Sequence, residues 1–104
     1  MNEIAQENCG LTKTLEIIGG KWTLLILRDL LEGPKRFSEL ERSLGGISTR
    51  TLCLRLDELV ADRVIVRDCS EDKAHPRYRL TEKGESLQGI IEQMRVWGET
   101  AKAV

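Results

Sequence analysis

Apolar residues recur along most of this chain three and four positions apart, and they switch to alternation in one stretch only. That contrast predicts a mainly helical domain with a small β-hairpin. From Asn8 or Cys9 to Ile18 the pattern reads as a short helix, with Leu11, Leu15 and Ile18 on one side and Gly19-Gly20 as its end. Next, Trp22, Leu24, Leu25, Ile26, Leu27, Leu30 and Leu31 cover nearly the whole helical circumference, which marks a central helix. Gly33-Pro34 stops it. Ser38 with Glu41 three residues later reads as a capping box for a third helix, with Phe37, Leu40 and Leu44 inward. Gly45-Gly46 breaks the chain. Ser48 is then the N-cap of a helix to about Asp62, with Leu52, Leu56 and Leu59 inward. Two helices joined by a short glycine turn outline a helix-turn-helix.

After it the period changes. Val64 to Cys69 is rich in β-branched residues, "SEDKAHP" is a polar loop, and Arg77 to Leu80 alternates, so a hairpin with a charged tip is expected. Thr81 is placed to cap a last helix carrying the stripe Leu87, Ile90, Ile91, Met94 and Trp97. The whole reads as a winged helix-turn-helix with an added helix at each end.

Length and charge sharpen this. The 104 residues make one domain, 1–104, with a core modest enough for a partner subunit to matter. A formal net charge of -1 is no sign of a polyanion-binding protein. The charge is uneven, however. Lys21 to Arg79 holds twelve Lys/Arg against ten Asp/Glu, a balance of +2, and the remainder is at -3. No apolar run reaches membrane-spanning length and the start lacks a leader pattern, so a cytoplasmic protein is expected, with no membrane partner. Three cysteines without scaffold spacing fit a reducing compartment.

The candidate chemistry lies at the start of the fourth helix. With its leucines inward, Ser48, Thr49, Arg50 and Thr51 face outward, and Arg55 has nothing acidic on its N-terminal side. Arg forks to guanine or phosphate, hydroxyls donate to phosphate, and the helix dipole favours anions. This part of a helix-turn-helix meets base edges. Lys73, Arg77 and Arg79 on the hairpin are expected to flank the same groove. The rival readings are a solvated surface, or a winged helix that docks a protein through this face and never binds DNA. Cys69 and His75 lack the second close-set pair that a zinc site wants, so no metal is expected, and Cys69 reads as packing inward. Trp22 and Trp97 sit on apolar stripes and read as core or interface. One histidine, no phosphate loop and no local nucleophile–base signature argue against an enzyme, and no cofactor is implied.

"GGKWTLLIL", "RFSEL", "GIS" with its following leucines, "YRLTEKG" and "WGE", together spanning about Cys9 to Glu99, resemble the HxlR-type winged-helix transcriptional regulators, relatives of the MarR group. The resemblance implies a DNA-binding homodimer acting near promoters on double-stranded DNA, in the form of an inverted-repeat operator. Ser48 to about Asp62 would be its recognition helix, Cys69 to about Arg77 its wing, and the terminal helices its dimer interface. It also implies an oxidant- or electrophile-sensing cysteine near the N-terminus, the place Cys9 occupies. Three positions depart from the family pattern. Gly10 replaces a proline, Cys53 and Leu54 replace polar residues, and Arg63 replaces a helix-ending glycine, which predicts a different ending there.

The residues themselves also argue for the dimer and the thiol. The last stripe together with Leu11 and Leu15 exceeds what a small core needs, and exposed it would be a large apolar patch. Cys9 stands at a helix start, where free amides and the dipole favour a thiolate, against the nearby charge of Glu7. Cys53 is the competing sensor, and an inert packed cysteine at both sites is the alternative.

Overall fold

The computed structural model describes residues 9–101. Its elements run α1 (Gly10–Ile18), α2 (Lys21–Leu31), β1 (Lys35–Arg36), α3 (Phe37–Ser43), α4 (Thr49–Ala61), β2 (Ile65–Asp68), β3 (Arg77–Leu80), α5 (Glu82–Glu85) and α6 (Gln88–Ala101). The strands form one antiparallel sheet in the order β1-β3-β2. This is a winged helix-turn-helix with a helix at each end, as the patterning predicts.

Helix α2 touches β3, α3, α4 and α6. Its Ile26, Leu27 and Leu30 are buried, and Trp22, Leu24, Leu25 and Leu31 are half-buried against the same core. The all-round apolar helix therefore takes the central place. Two polar residues are buried with it, Thr23 and Asp29. Asp29 is 4% exposed, and its Oδ1 accepts from Arg28 Nε and Nη2 at 3.2 and 3.1 Å.

Around α2 the core collects Leu40, Leu44 and Ile47, then Leu52, Leu56 and Leu59, then Val64, Ile65, Tyr78 and Leu80. The turn between α3 and α4 needs Gly46, whose φ is 98°, a conformation that L side chains rarely adopt. Helix α4 starts where Ser48 Oγ accepts the Thr51 amide at 3.0 Å.

Several expectations change. Strand β1 adds a third strand to the predicted hairpin, with Lys35 opposite Tyr78 and Arg36 opposite Arg77. Helix α3 begins one residue before Ser38. Arg36 is its N-cap, and the Arg36 amide donates to Glu39 Oε1 at 2.8 Å, so Glu39 and not Glu41 returns to the cap. An arginine side chain cannot accept, so only that half of the box operates. Thr81 caps the short α5, its Oγ1 accepting from the Gly84 amide at 3.1 Å, and α6 starts separately after Ser86-Leu87. Cys69 lies just past β2 and is exposed, not packed inward.

The different ending expected at Arg63 is also corrected. Arg63 takes φ 61°, the left-handed conformation a glycine would take. The Val64 amide donates to Leu59 O and the Arg63 amide to Val60 O, both at 3.0 Å, the Schellman pair that closes a helix. Buried Val64 and the bond from Thr81 Oγ1 to Arg63 O, 2.6 Å, hold the residue there.

Candidate nucleic-acid interface

Helix α4 packs on β2 and presents the opposite side outward. At 3.6 residues per turn, Arg50, Leu54, Asp57 and Glu58 stand opposite Leu52, Leu56 and Leu59. All four are exposed and the three leucines are buried. Thr49, Thr51 and Arg55 lie on the two flanks. Of the residues picked from sequence, Arg50 is thus the one at the centre of the outward face, and it enters no ion pair among the described residues.

Arg55 is not unpaired. Its Nη1 lies 2.6 Å from Glu58 Oε1, three residues ahead. The hydroxyls are engaged too. Ser48 Oγ donates to Thr51 Oγ1 at 2.8 Å, and Thr49 Oγ1 donates to Glu41 Oε2 at 2.6 Å. Free donation to phosphate therefore does not describe Ser48 or Thr49 in this arrangement. The face is also less polar than the sequence suggested, since Leu54 is 52% exposed at its middle.

Three polar links join the parts of the motif. The Thr49–Glu41 bond ties α4 to α3. Arg67 Nη2 lies 3.4 Å from Asp57 Oδ1 and ties β2 to α4, while the Arg67 guanidinium stands 5.6 Å from the Tyr78 ring centroid. Arg36 Nη1 donates to His75 O at 3.1 Å and lies 3.8 Å from Asp72 Oδ2, which ties the wing loop to the start of α3. Within the wing, His75 Nδ1 is 3.1 Å from Asp72 Oδ2, and the Ala74 amide donates to Asp72 Oδ1 at 3.0 Å. These bonds hold the Asp72 carboxyl below the usual carboxylate range, the His75 contact first. Arg77 lies 3.6 Å from Glu71, Arg79 lies 3.6 Å from Asp68, and Lys73 is exposed without an ion pair among the described residues.

The terminal helices carry a second surface. No residue of α6 is buried. Its stripe divides: Leu87 and Ile91 pack half-buried on the core, whereas Ile90, Met94 and Trp97 are exposed, Trp97 by 73%. Helix α1 behaves alike. Ile18 is buried, while Leu11 is 68% exposed and Leu15 is exposed as well.

The family model of HxlR-like helix-turn-helix proteins matches residues 17–103. The chain belongs to this family. It is a transcriptional regulator of HxlR type. YybR, an uncharacterised HTH-type transcriptional regulator of Bacillus subtilis (strain 168), is 39% identical over 101 residues, covering 95% of this chain and 80% of YybR. Among solved structures, the redox regulator HypR in its reduced form is similar with a TM-score of 0.84 and 37% identity, over 90% of this chain and 94% of HypR. Quinone-bound YodB from B. subtilis has a TM-score of 0.76 and 32% identity, over 88% of this chain and 98% of YodB.

In this HxlR-type chain Cys9 is exposed at the N-cap of α1. The amides of Thr12 and then Leu11 hold its thiol below the ordinary value. Neither is close and aligned enough to form a capping bond through the sulfur, so the effect is that of amide dipoles aimed at an exposed group. Glu7, the expected opposing charge, lies outside the described residues. Cys53 is exposed on a flank of α4. Sequence reasoning missed Glu41, Asp57 and Arg36 as parts of this surface. The Arg55–Glu58 pair, at helical spacing, was open to it.

Proposed function

We propose that this HxlR-type regulator binds double-stranded DNA in a sequence-specific way as a homodimer, at an inverted-repeat operator. The observation that carries the reading is the start of α4: a capped helix that presents Arg50, exposed and without an ion pair among the described residues, at the place where a helix-turn-helix meets base edges. Ser48, Thr49, Thr51 and Arg55 border that contact. Lys73, Arg77 and Arg79 of the wing flank it and touch the backbone. The unburied helix α6 supports the dimer. Leu11, Leu15, Ile90, Met94 and Trp97 cover one another across a two-fold axis, with Leu87 and Ile91 beneath, and the two α4 helices then lie one DNA turn apart, about 34–36 Å. Such a protein works in the cytoplasm beside the chromosome and needs no catalytic group.

The second element of the proposal is a thiol switch at Cys9. A thiol held below its ordinary value yields more thiolate, the form that attacks oxidants and electrophiles, and its helix belongs to the proposed dimer surface. That HypR is a redox regulator and that YodB binds a quinone support the same direction.

The test is DNA binding by the purified chain at increasing salt. Binding should fall steeply, since each phosphate contact contributes a slope of about -0.9 in log K against log salt. Arg50→Ala should cost about 1–3 kcal/mol on the specific site. Arg55→Ala, which removes a residue paired on the flank, should cost less. Absent or salt-independent binding refutes the DNA reading and favours a protein-docking face centred on Leu54, and wild-type affinity in Arg50→Ala refutes the role given to Arg50.

A further inference from the structure

The bond between Glu41 and Thr49 fixes the polarity of the DNA-facing surface. Thr49 Oγ1 lies 2.6 Å from Glu41 Oε2. A carboxylate accepts and has no hydrogen to give, so the Thr49 hydroxyl hydrogen points at Glu41. What Thr49 offers outward is its lone pairs, and Thr49 is exposed. Glu41 Oε1 is a further acceptor with no hydrogen-bond partner among the described residues. The two side chains, from adjacent helices, therefore present acceptors and negative charge, and no donor. The neighbouring Arg50 presents donors only.

Base edges in the major groove differ in these terms. Guanine N7 and O6 and thymine O4 are acceptors, and phosphate oxygens are anionic acceptors, so none of them finds a hydrogen at this pair. The exocyclic amines, N4 of cytosine and N6 of adenine, are the donors. We propose that Glu41 and Thr49 together read the exocyclic amino group of a cytosine or adenine in the major groove. Glu41 is then a specificity-determining residue that stands on α3, outside the recognition helix. The inference rests on the DNA-binding reading above.

The experiment is selection of binding sites from a randomised duplex library by the full chain, comparing wild type with Thr49→Val, Thr49→Ser and Glu41→Gln. Wild type should select cytosine or adenine at one position of each half-site. Thr49→Val, which removes the outward acceptor, should lose that preference by roughly fivefold or more and keep the rest of the motif. Thr49→Ser should retain it. Glu41→Gln brings an amide donor and should admit guanine or thymine at that same position. The inference is overturned if Thr49→Val and Glu41→Gln leave the motif unchanged, or if they weaken all sequences alike. It is overturned together with the DNA-binding reading if wild type selects no motif, an outcome that the comparison with variants keeps distinct. Circular dichroism of each variant checks the fold, and the near-isosteric Glu41→Gln keeps the test open if Thr49→Val misfolds.

Discussion

Gly84 and Gly89 are two helical glycines that should respond to alanine with opposite signs. Gly84 is buried in α5, and a Cβ there would meet Val64 O at 2.2 Å and the Leu80 side chain at 3.0 and 3.2 Å. The 2.2 Å contact is with backbone, which cannot swing aside. To reach ordinary contact, α5 or the link between α4 and β2 must move by about an ångström, since carbon atoms rest near 3.5–4.0 Å. Val64 O is not idle. It accepts from the Thr81 amide at 3.0 Å, and Thr81 Oγ1, whose one hydrogen goes to the nearer Arg63 O, lies 3.1 Å away. Overpacking costs about 1–3 kcal/mol, and each loosened bond adds about 0.5–1.5 kcal/mol. Alanine returns up to about 1 kcal/mol of helix propensity. The net for Gly84→Ala is a loss of about 1–3 kcal/mol. Gly89, in the first turn of α6, has nothing within 4 Å of its would-be Cβ. Gly89→Ala should therefore be neutral, or stabilising by up to about 1 kcal/mol. Urea and thermal denaturation read both. For a domain of this size 1 kcal/mol moves Tm by about 4–8 °C. Gly84→Ala within about 0.5 kcal/mol of wild type, or a loss at Gly89 equal to that at Gly84, refutes the close approach between α5 and the link from α4 to β2.

Other consequences can be checked as directly. Arg63→Gly should stabilise by up to about 1 kcal/mol, because the left-handed conformation is already in place and the Arg63 side chain enters no ion pair among the described residues; denaturation of the two proteins side by side decides it. Trp97→Ala with Met94→Ala should weaken the proposed dimer by about 2 kcal/mol or more, roughly thirtyfold in Kd, with the monomer fold retained, as read by sedimentation. For Cys9, a thiol held below its ordinary value in the folded chain forms thiolate at lower pH than in the unfolded chain. Its iodoacetamide labelling should therefore rise at lower pH in native protein than in urea, and equal midpoints would remove the physical basis of the switch.

Where local rules decide an element, the chain could be read directly. Helix α4 combines a Ser48 cap, a preceding glycine break and three leucines at helical spacing, and its bounds fall as expected, although Arg63 closes it in the left-handed conformation that a side chain argued against. Strand β1 has no such signature. Two residues are too few for a period, and they are a strand only because Tyr78 and Arg77 lie opposite them. The stripe from Leu87 to Trp97 continues unbroken across the Ser86-Leu87 junction, so it hides the division into α5 and α6. Ser38 and Glu41 match a capping pattern whose working pair, Arg36 and Glu39, lies two residues earlier, and this leaves Glu41 for Thr49. The candidate site was located by its helix, but its polarity depends on partners eight to 39 residues away in sequence. Spacing within one helix says nothing about these.

Those partners also answer the objection that a chain of net charge -1 is ill suited to DNA. The acids near the proposed interface are not spread at random. Glu58, Asp57, Glu71, Asp68 and Asp72 are each placed against an arginine: Arg55, Arg67, Arg77, Arg79 and Arg36. All these pairs are at least partly exposed, and exposed pairs contribute only about 0.2–1 kcal/mol each. An arginine can therefore leave its carboxylate for a phosphate at little cost in stability. Arg50 and Lys73 need no such exchange among the described residues. Without DNA the arginines are held in place and masked, which limits attraction to arbitrary polyanions. With the right site they are already positioned. A masked surface gains less from phosphate neutralisation than a bare basic one, so discrimination must come from base contacts at Arg50 and the Glu41–Thr49 pair, and affinity from joining two copies. On this argument low net charge and the large apolar face of α1 and α6 belong together. On the proposed reading each chain alone would make few unopposed phosphate contacts, and the proposed dimer would double them.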